Sequence, residues 1–327
     1  MRGTHGKSAP LLRHAAILLG IAALMQVPPP AAAQSSQRPI RFVTTAPGSG
    51  NDFTIRLMSP GLTAALGRQI IVDNRAGLVV PGSIVAKAPG DGSTLLILSS
   101  TLWIAPLLQP DVPYDPVRDF SPISMVTTAP NVLVVHPSLP VKSTQELITY
   151  AKGRPGQLNF GVTVLGGSIH LAGELFASLG GLNMVRVPFK GVGDAVTAQL
   201  SGEVQVMFPV AVSARAHMDS GKMRGLAVSS REATALVPGL PPVSATLPGF
   251  EAVTMTGVWA PKSTPETVIR RMHAEIVAAL NLPEVKDRLF AAGSEVVGST
   301  PQEFAATMKA DMTKWARIMK ETRIGKE

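Results

Sequence analysis

The residues able to do chemistry in this chain lie in a few short stretches. Pro47, Gly48, Ser49, Gly50, Asn51 and Asp52 form a turn of small residues, and Ser99, Ser100 and Thr101 offer consecutive hydroxyls. Thr163, Val164, Gly166, Gly167, Ser168 and His170 lie in and just after a second such turn, with Pro209 a further candidate downstream. Glycine lets a backbone bend tightly and lie open to a ligand. A helix that begins straight after such a turn presents unpaired N–H groups, which attract carboxylates and phosphates. The chemistry expected is therefore binding of an anion by backbone amides, one cluster on each of two lobes, without a fixed countercharge.

Other chemistries fit less well. Gly48-Ser49-Gly50 lacks the third glycine of a dinucleotide fingerprint, and no lysine follows as in a phosphate loop. By itself the first turn also fits an ordinary tight strand-to-helix connection. Ser168, His170 and Asp52 include the residue types of a nucleophilic triad, but the chain has no Gly-x-Ser-x-Gly elbow. His170 reads first as a helix residue bonded to backbone and only second as a base. With no cysteine, no His-x-x-x-His, and His136, His217 and His273 far apart, neither a metal nor a cofactor is expected.

The elements that must position these residues alternate. Ile40, Phe42 and Val43 read as a strand; Ile55, Met58, Leu62, Ala65 and Leu66 then fall on one face of a helix, with Asn51 or Asp52 as its cap and Gly67 as its stop. Pro60 inside that helix predicts a kink, or a restart capped by Ser59. Further strands are expected at 69–73, 94–98, 123–127 and 131–136, with a short helix at 83–88 and Trp103 in the core. A second block repeats the plan: a helix at 143–151 with a Ser143/Glu146 capping box, a strand at 158–163, the second turn, and a helix at 169–179. Strand and helix alternate on to a last strand at 253–260, then three helices each with a proline at the first turn: Pro265, Pro283 and Pro301. Such alternation implies an α/β fold with parallel strands, and its recurrence implies two lobes whose helix starts face one another across a cleft. Chain crossings near Ala129-Pro130 and Met255-Thr256 would make a hinge.

Arg2, Lys7 and Arg13 precede an apolar run from Ala15 to Val27, and Ala31-Ala32-Ala33 offers a cleavage point, so residues 1–33 read as a secretory signal peptide. Those three cations belong to the formal +8, and with no acid among the first 33 residues the remainder carries +5. The Lys and Arg are scattered and aromatics scarce, which excludes a nucleic-acid groove; a mild positive field would gather small anions.

The chain resembles the Bug family, the extracytoplasmic solute-binding proteins of tripartite tricarboxylate transporters (TTT). The blocks that carry the resemblance run in order from about Pro39 to Lys320. They include Pro47-Gly48 with Asp52, Val72-Asp73-Asn74-Arg75-Ala76-Gly77, Pro113-Tyr114-Asp115-Pro116 and Ala129-Pro130-Asn131 through His136-Pro137. His170-Leu171-Ala172-Gly173-Glu174-Leu175, Val187-Pro188-Phe189-Lys190-Gly191 and Gly221-Lys222-Met223-Arg224 follow.

The resemblance implies a two-lobed periplasmic clamshell of the type II binding-protein class, each lobe a mixed sheet flanked by helices. Residues 34–130 and 255–327 would form the first lobe and 131–254 the second. It implies no catalysis, a carboxylate ligand held between the two turns, and membrane permease subunits of a TTT as partners. A periplasmic sensor that reports ligand to a signalling protein is the alternative, and a Ser/His hydrolase ranks below it. The chain departs from the family pattern at Thr163-Val164-Leu165-Gly166-Gly167, at Pro209-Val210, at Met255-Thr256 and at Leu78-Val79-Val80, at several of these places exchanging polar contacts for carbon. These exchanges predict a ligand with one carboxylate and a mostly apolar body.

Overall fold

In a computed structural model, the described residues are 3, 38–163 and 165–321. The signal-peptide reading of residues 1–33 and the candidate Val164 lie outside them. Residues Pro39–Glu327 make one unit built on two sheets.

The first strand, β1 (Ile40–Thr44), is followed by helix α1 (Gly50–Leu66), β2 (Ile70–Asn74), α2 (Val80–Ala86), β3 (Thr94–Ser99) and α3 (Thr101–Leu108). Next come β4 (Phe120–Pro130), β5 (Val132–Val135), α4 (Thr144–Lys152), β6 (Asn159–Val162), α5 (Ser168–Gly180), β7 (Val185–Pro188), α6 (Val192–Ser201), β8 (Val206–Met207), α7 (Ala211–Asp219) and β9 (Arg224–Val228). The chain closes with β10 (Val253–Pro261), α8 (Glu266–Leu280), α9 (Pro283–Ala291), β11 (Glu295–Val296) and α10 (Pro301–Glu321).

One sheet has the order β11-β4-β10-β3-β1-β2 and the other β7-β6-β8-β5-β9. Each is mixed. The parallel strands come from strand-helix-strand units, and β10 and β5 run against their neighbours because there the chain enters from the other sheet. This is the two-lobed α/β architecture, and parallel pairing alone would have been a wrong description of it.

The crossings fix how the sheets face. β4 ends at Pro130 and β5 begins at Val132; β9 ends at Val228, and β10 begins at Val253 opposite Pro130. Val253 and Thr254 thus already belong to the first sheet, two residues earlier than the crossing expected at Met255-Thr256. Both crossings leave and enter at the carboxyl ends of the parallel strands. The Asn131 backbone N–H donates to Ser229 Oγ at 2.7 Å, the Ser229 hydroxyl donates to Ala252 O at 2.7 Å, and Asn131 Nδ2 donates to Phe208 O at 2.6 Å. Buried, well-paired polar groups of this kind hold the two crossing segments side by side.

A continuous apolar core runs through both lobes, with Phe250 of the return segment packed on Phe176 and Phe208, and Trp103 edge-on to Trp259 and Phe304. Trp103 is fully buried, as expected of a core residue, and its indole N–H donates to the buried carboxylate of Asp311 at 2.8 Å. Helix α1 covers the other face of the first sheet through Ile55, Met58, Leu62 and Leu66, while Ala65 is exposed. Pro60 lies inside α1, and no restart occurs at it: Ser59 is an internal helix residue whose hydroxyl donates to Ile55 O at 2.7 Å. The short helix α2 begins at Val80 rather than near Ser83, because Pro81 fits a first turn.

Candidate functional site

The first turn is closed by its own side chains. The cap of α1 is Ser49, not Asn51 or Asp52: Ser49 has extended backbone angles and its hydroxyl accepts the Asp52 N–H at 3.3 Å. Asp52 sits at the third helical position and reaches back, its Oδ2 accepting the Gly48 N–H at 2.9 Å. Its other oxygen accepts from Arg56 Nε at 2.9 Å and from Asn74 Nδ2 at 2.8 Å. Burial alone would raise the Asp52 pKa, but the bonds from Arg56, Asn74 and Gly48 outweigh it and hold the carboxyl below its ordinary value. Asn74 Nδ2 also donates to Thr45 O at 2.8 Å, so the end of β2 staples the turn to the helix.

The second turn repeats this construction. Gly166 (φ 77°) and Gly48 (φ 78°) are both left-handed, and each lies one residue before its cap. His170, like Asp52, is the third helical residue; its Nδ1 accepts the Gly166 N–H at 3.2 Å. That bond requires an unprotonated Nδ1, so the ring proton sits on Nε2, which is buried without a hydrogen-bond partner and lies 3.7 Å from Glu174 Oε1. Burial, and then the positive charge of Arg186, pull the His170 pKa down to about 4.

The amides left open belong to the helix starts and not to the two left-handed glycines. Gly48 and Gly166 spend theirs on side chains four residues on, and the Ser49 N–H bonds Ala46 O at 3.2 Å. What the first helix leaves without an internal acceptor, among the described residues, are the N–H groups of Gly50 and Asn51. The second leaves those of Ser168, Ile169 and His170, since its cap Gly167 has no hydroxyl.

The strand registers bring the first turn, the three hydroxyls and β10 to one edge of the first sheet. Thr256 of β10 pairs with Ser99 of β3, and the Thr256 hydroxyl donates to Asn51 Oδ1 at 3.3 Å. The Ser100 N–H donates to Met255 O at 2.7 Å, and the Ser99 and Thr101 hydroxyls share a 3.0 Å bond. From the other lobe, the left-handed Gly166 lies against α3, the helix that Thr101 begins: a β-carbon there would stand 2.5 Å from Leu108 and 3.5 Å from Ile104. β6 and β8 end at the edge beside the crossings, which puts Thr163 and the buried Pro209 on the same side as the second turn; Pro209 O accepts the Val132 N–H at 2.9 Å. Pro47 and Gly48 are exposed on the first turn.

Thr45, Asn74, Arg56, Thr256, Ile104 and Leu108 escaped the sequence argument. Asn74 and Thr256 had a signal, as parts of quoted segments; Arg56 and Thr45 act on residues within six positions, and Ile104 and Leu108 meet a segment far off in the chain. Among the described residues no group of His, Asp and Glu could hold a metal ion.

Two mixed α/β lobes joined by paired crossings, with strand-turn-helix units at the carboxyl ends of the parallel strands, are the architecture of periplasmic solute-binding proteins. The chain belongs to the tripartite tricarboxylate transporter receptor family: the model described as "Tripartite tricarboxylate transporter family receptor" matches residues 54–324. It is 36% identical to the "UPF0065 protein in tcbD-tcbE intergenic region" of Pseudomonas sp. (strain P51), over 88% of this chain and 87% of that one. It is 33% identical to Protein BugT of Bordetella pertussis, over 87% and 89%. Among solved structures it is similar to R. palustris Rpa4515 with adipate, at 30% identity, TM-score 0.75 and coverage of 87% and 97%. MatC (Rpa3494) from Rhodopseudomonas palustris with bound malate is similar at 28% identity, TM-score 0.71 and coverage of 86% and 99%. The protein is a Bug-type solute-binding receptor.

Proposed function

We propose that this receptor captures a small organic carboxylate in the periplasm between its two lobes and delivers it to the membrane permease subunits of a tripartite tricarboxylate transporter. The observation that carries the reading is the matched pair of turns. Two helix starts on different lobes, at the edges beside the crossings, each keep free amides for an anion. The adipate and malate held by two family members support a carboxylate. The lobes are taken as 34–130 with 255–327, and 131–254, with Val253 and Thr254 at the border.

The Gly50 and Asn51 amides grip the carboxylate from one side and those of Ser168, Ile169 and His170 from the other, with the hydroxyls of Ser99, Ser100 and Thr101 nearby. The rest of the ligand is mostly apolar. Leu165 is exposed beside the second turn, Ile104 and Leu108 border it, and Pro209 and Val210 follow β8. Catalysis has little to work with, because the His170 Nδ1 that a base would use already accepts the Gly166 amide. A thermal-shift panel of aliphatic and aromatic monocarboxylates, adipate, malate and citrate, with native mass spectrometry of whatever co-purifies, tests the reading. Stabilisation by one or more monocarboxylates above citrate is expected; a preference for citrate would overturn the apolar body, and silence across the whole panel the carboxylate itself.

A further inference from the structure

The two turns agree in a detail that ligand binding alone does not require. In each, a left-handed glycine stands just before the cap, and the side chain three positions into the helix turns back to take that glycine's amide. Asp52 does this for Gly48 at 2.9 Å and His170 for Gly166 at 3.2 Å. The atoms used, a carboxylate Oδ and the imidazole Nδ1, are equally far along their side chains from Cα. The outcome is the same too: the glycine amide is drawn inward, and the anion is left to the amides that follow it.

We infer that Asp52 and His170 are a matched pair of positioning residues, one per lobe, and that the second-lobe turn keeps its ligand-ready shape only while His170 is neutral. The inference rests on the carboxylate reading above for its consequence, not for its geometry.

The pair differs in how it responds to protons. Asp52 is anionic and its charge is met by Arg56 and Asn74, so its bond to Gly48 persists across the ordinary pH range. His170 holds Gly166 with a lone pair that a second proton would occupy. The charged groups facing the ring are Glu174, one turn further along α5, and Arg186 on the neighbouring β7, 3.6 Å from the same Glu174 oxygen. Glu174 would welcome an imidazolium, Arg186 opposes it, and burial of the ring, which is 1% exposed, sides with Arg186. When acid does protonate Nδ1, the Gly166 N–H loses its acceptor and two N–H groups confront each other. The turn must then rearrange at the point where it leans on Ile104 and Leu108 of the other lobe. Ligand release in acid follows from the second turn, while the first stays shut.

The test uses the mature protein with His170→Asn, which keeps an acceptor equally far from Cα, and His170→Ala, which removes it. Adipate is the probe, with circular dichroism to check folding. At pH 7 the Asn variant is expected to bind adipate within about threefold of the unaltered protein and the Ala variant about tenfold more weakly, a loss on the scale of one hydrogen bond. Between pH 7 and pH 4 adipate itself takes up protons, so both proteins are expected to lose affinity, the unaltered protein more steeply than the Asn variant. Two measurements need neither ligand nor variant: nitrogen-resolved NMR of the histidines should show His170 neutral with its proton on Nε2 at pH 7, and amide exchange should show Gly166 protected. A proton found on Nδ1, an unprotected Gly166, or an Asn variant as weak as Ala would overturn the inference. Failure of the unaltered protein to bind any carboxylate of the panel would count against the carboxylate reading instead, and the NMR and exchange results would still decide this one.

Discussion

At His170 the cost of burial and the cost of losing a bond act in the same direction. An unfolded chain takes up a proton at this ring near pH 6.5, whereas the folded chain holds out to about pH 4. Between those values the unfolded state binds the extra proton, so stability falls as the pH falls. The contribution is fully present above about pH 6.5 and is lost on the way down to about pH 4. A shift of that size corresponds to roughly 3 kcal/mol. Urea midpoints measured from pH 7 to pH 4 should fall for the unaltered protein, and the slope should shrink in His170→Asn, which has nothing to titrate.

Such residue-level bonds were beyond the sequence argument, and the reason is local geometry. Ser49, Asn51 and Asp52 are all good capping types, and nothing in their order says that Ser49 caps while Asp52 reaches back to Gly48. That choice is made by Arg56 one turn on and by Asn74 at the end of another strand.

Within a single element, the two left-handed glycines separate strain from contact. At Gly48 an added β-carbon meets nothing within 4 Å, so Gly48→Ala is expected to cost only the left-handed backbone penalty, about 1 kcal/mol. At Gly166 the same penalty comes with a β-carbon 2.5 Å from Leu108 of the other lobe. Gly166→Ala should therefore weaken ligand binding more than Gly48→Ala, and Leu108→Ala in the same chain should recover part of the loss; calorimetric titration of the three variants checks this. Helix α1 offers a second case. It runs from Gly50 to Leu66 with the exposed Pro60 inside, so the Arg56 carbonyl has no N–H four residues on. Replacing Pro60 by Ala restores that bond at some cost in unfolded-chain entropy, and a net gain of about 1 to 2 kcal/mol is expected, read as a melting temperature several degrees higher. The existence of α1 and its glycine stop were legible from apolar spacing; its continuity through Pro60 was not, because local propensity favoured a break and packing of Ile55, Met58 and Leu62 on the sheet overrode it.

Over the whole molecule, the repeated strand-turn-helix plan was legible as two lobes, since each copy carries its own pattern. The antiparallel insertion of β10 between β3 and β4 was not, because it pairs residues more than a hundred positions apart. That return strand decides how the lobes meet. Besides the crossings, they touch where Gly166 lies on α3 and again on the far side of β4. There Val212 of α7 lies against Gly293, and the Thr234 hydroxyl donates to Glu295 Oε1 at 2.6 Å. A hydroxyl-to-carboxylate bond is worth about 1.5 to 3 kcal/mol, and one that joins two lobes contributes most when they are together. Removing it by Thr234→Val or Glu295→Ala should favour separation. Ligand would then dissociate faster at an unchanged association rate, raising the apparent Kd by up to about tenfold. Stopped-flow kinetics would resolve the two rates, and small-angle scattering should show a larger radius of gyration without ligand. Unchanged dissociation together with an unchanged radius would mean that this contact does not hold the lobes together.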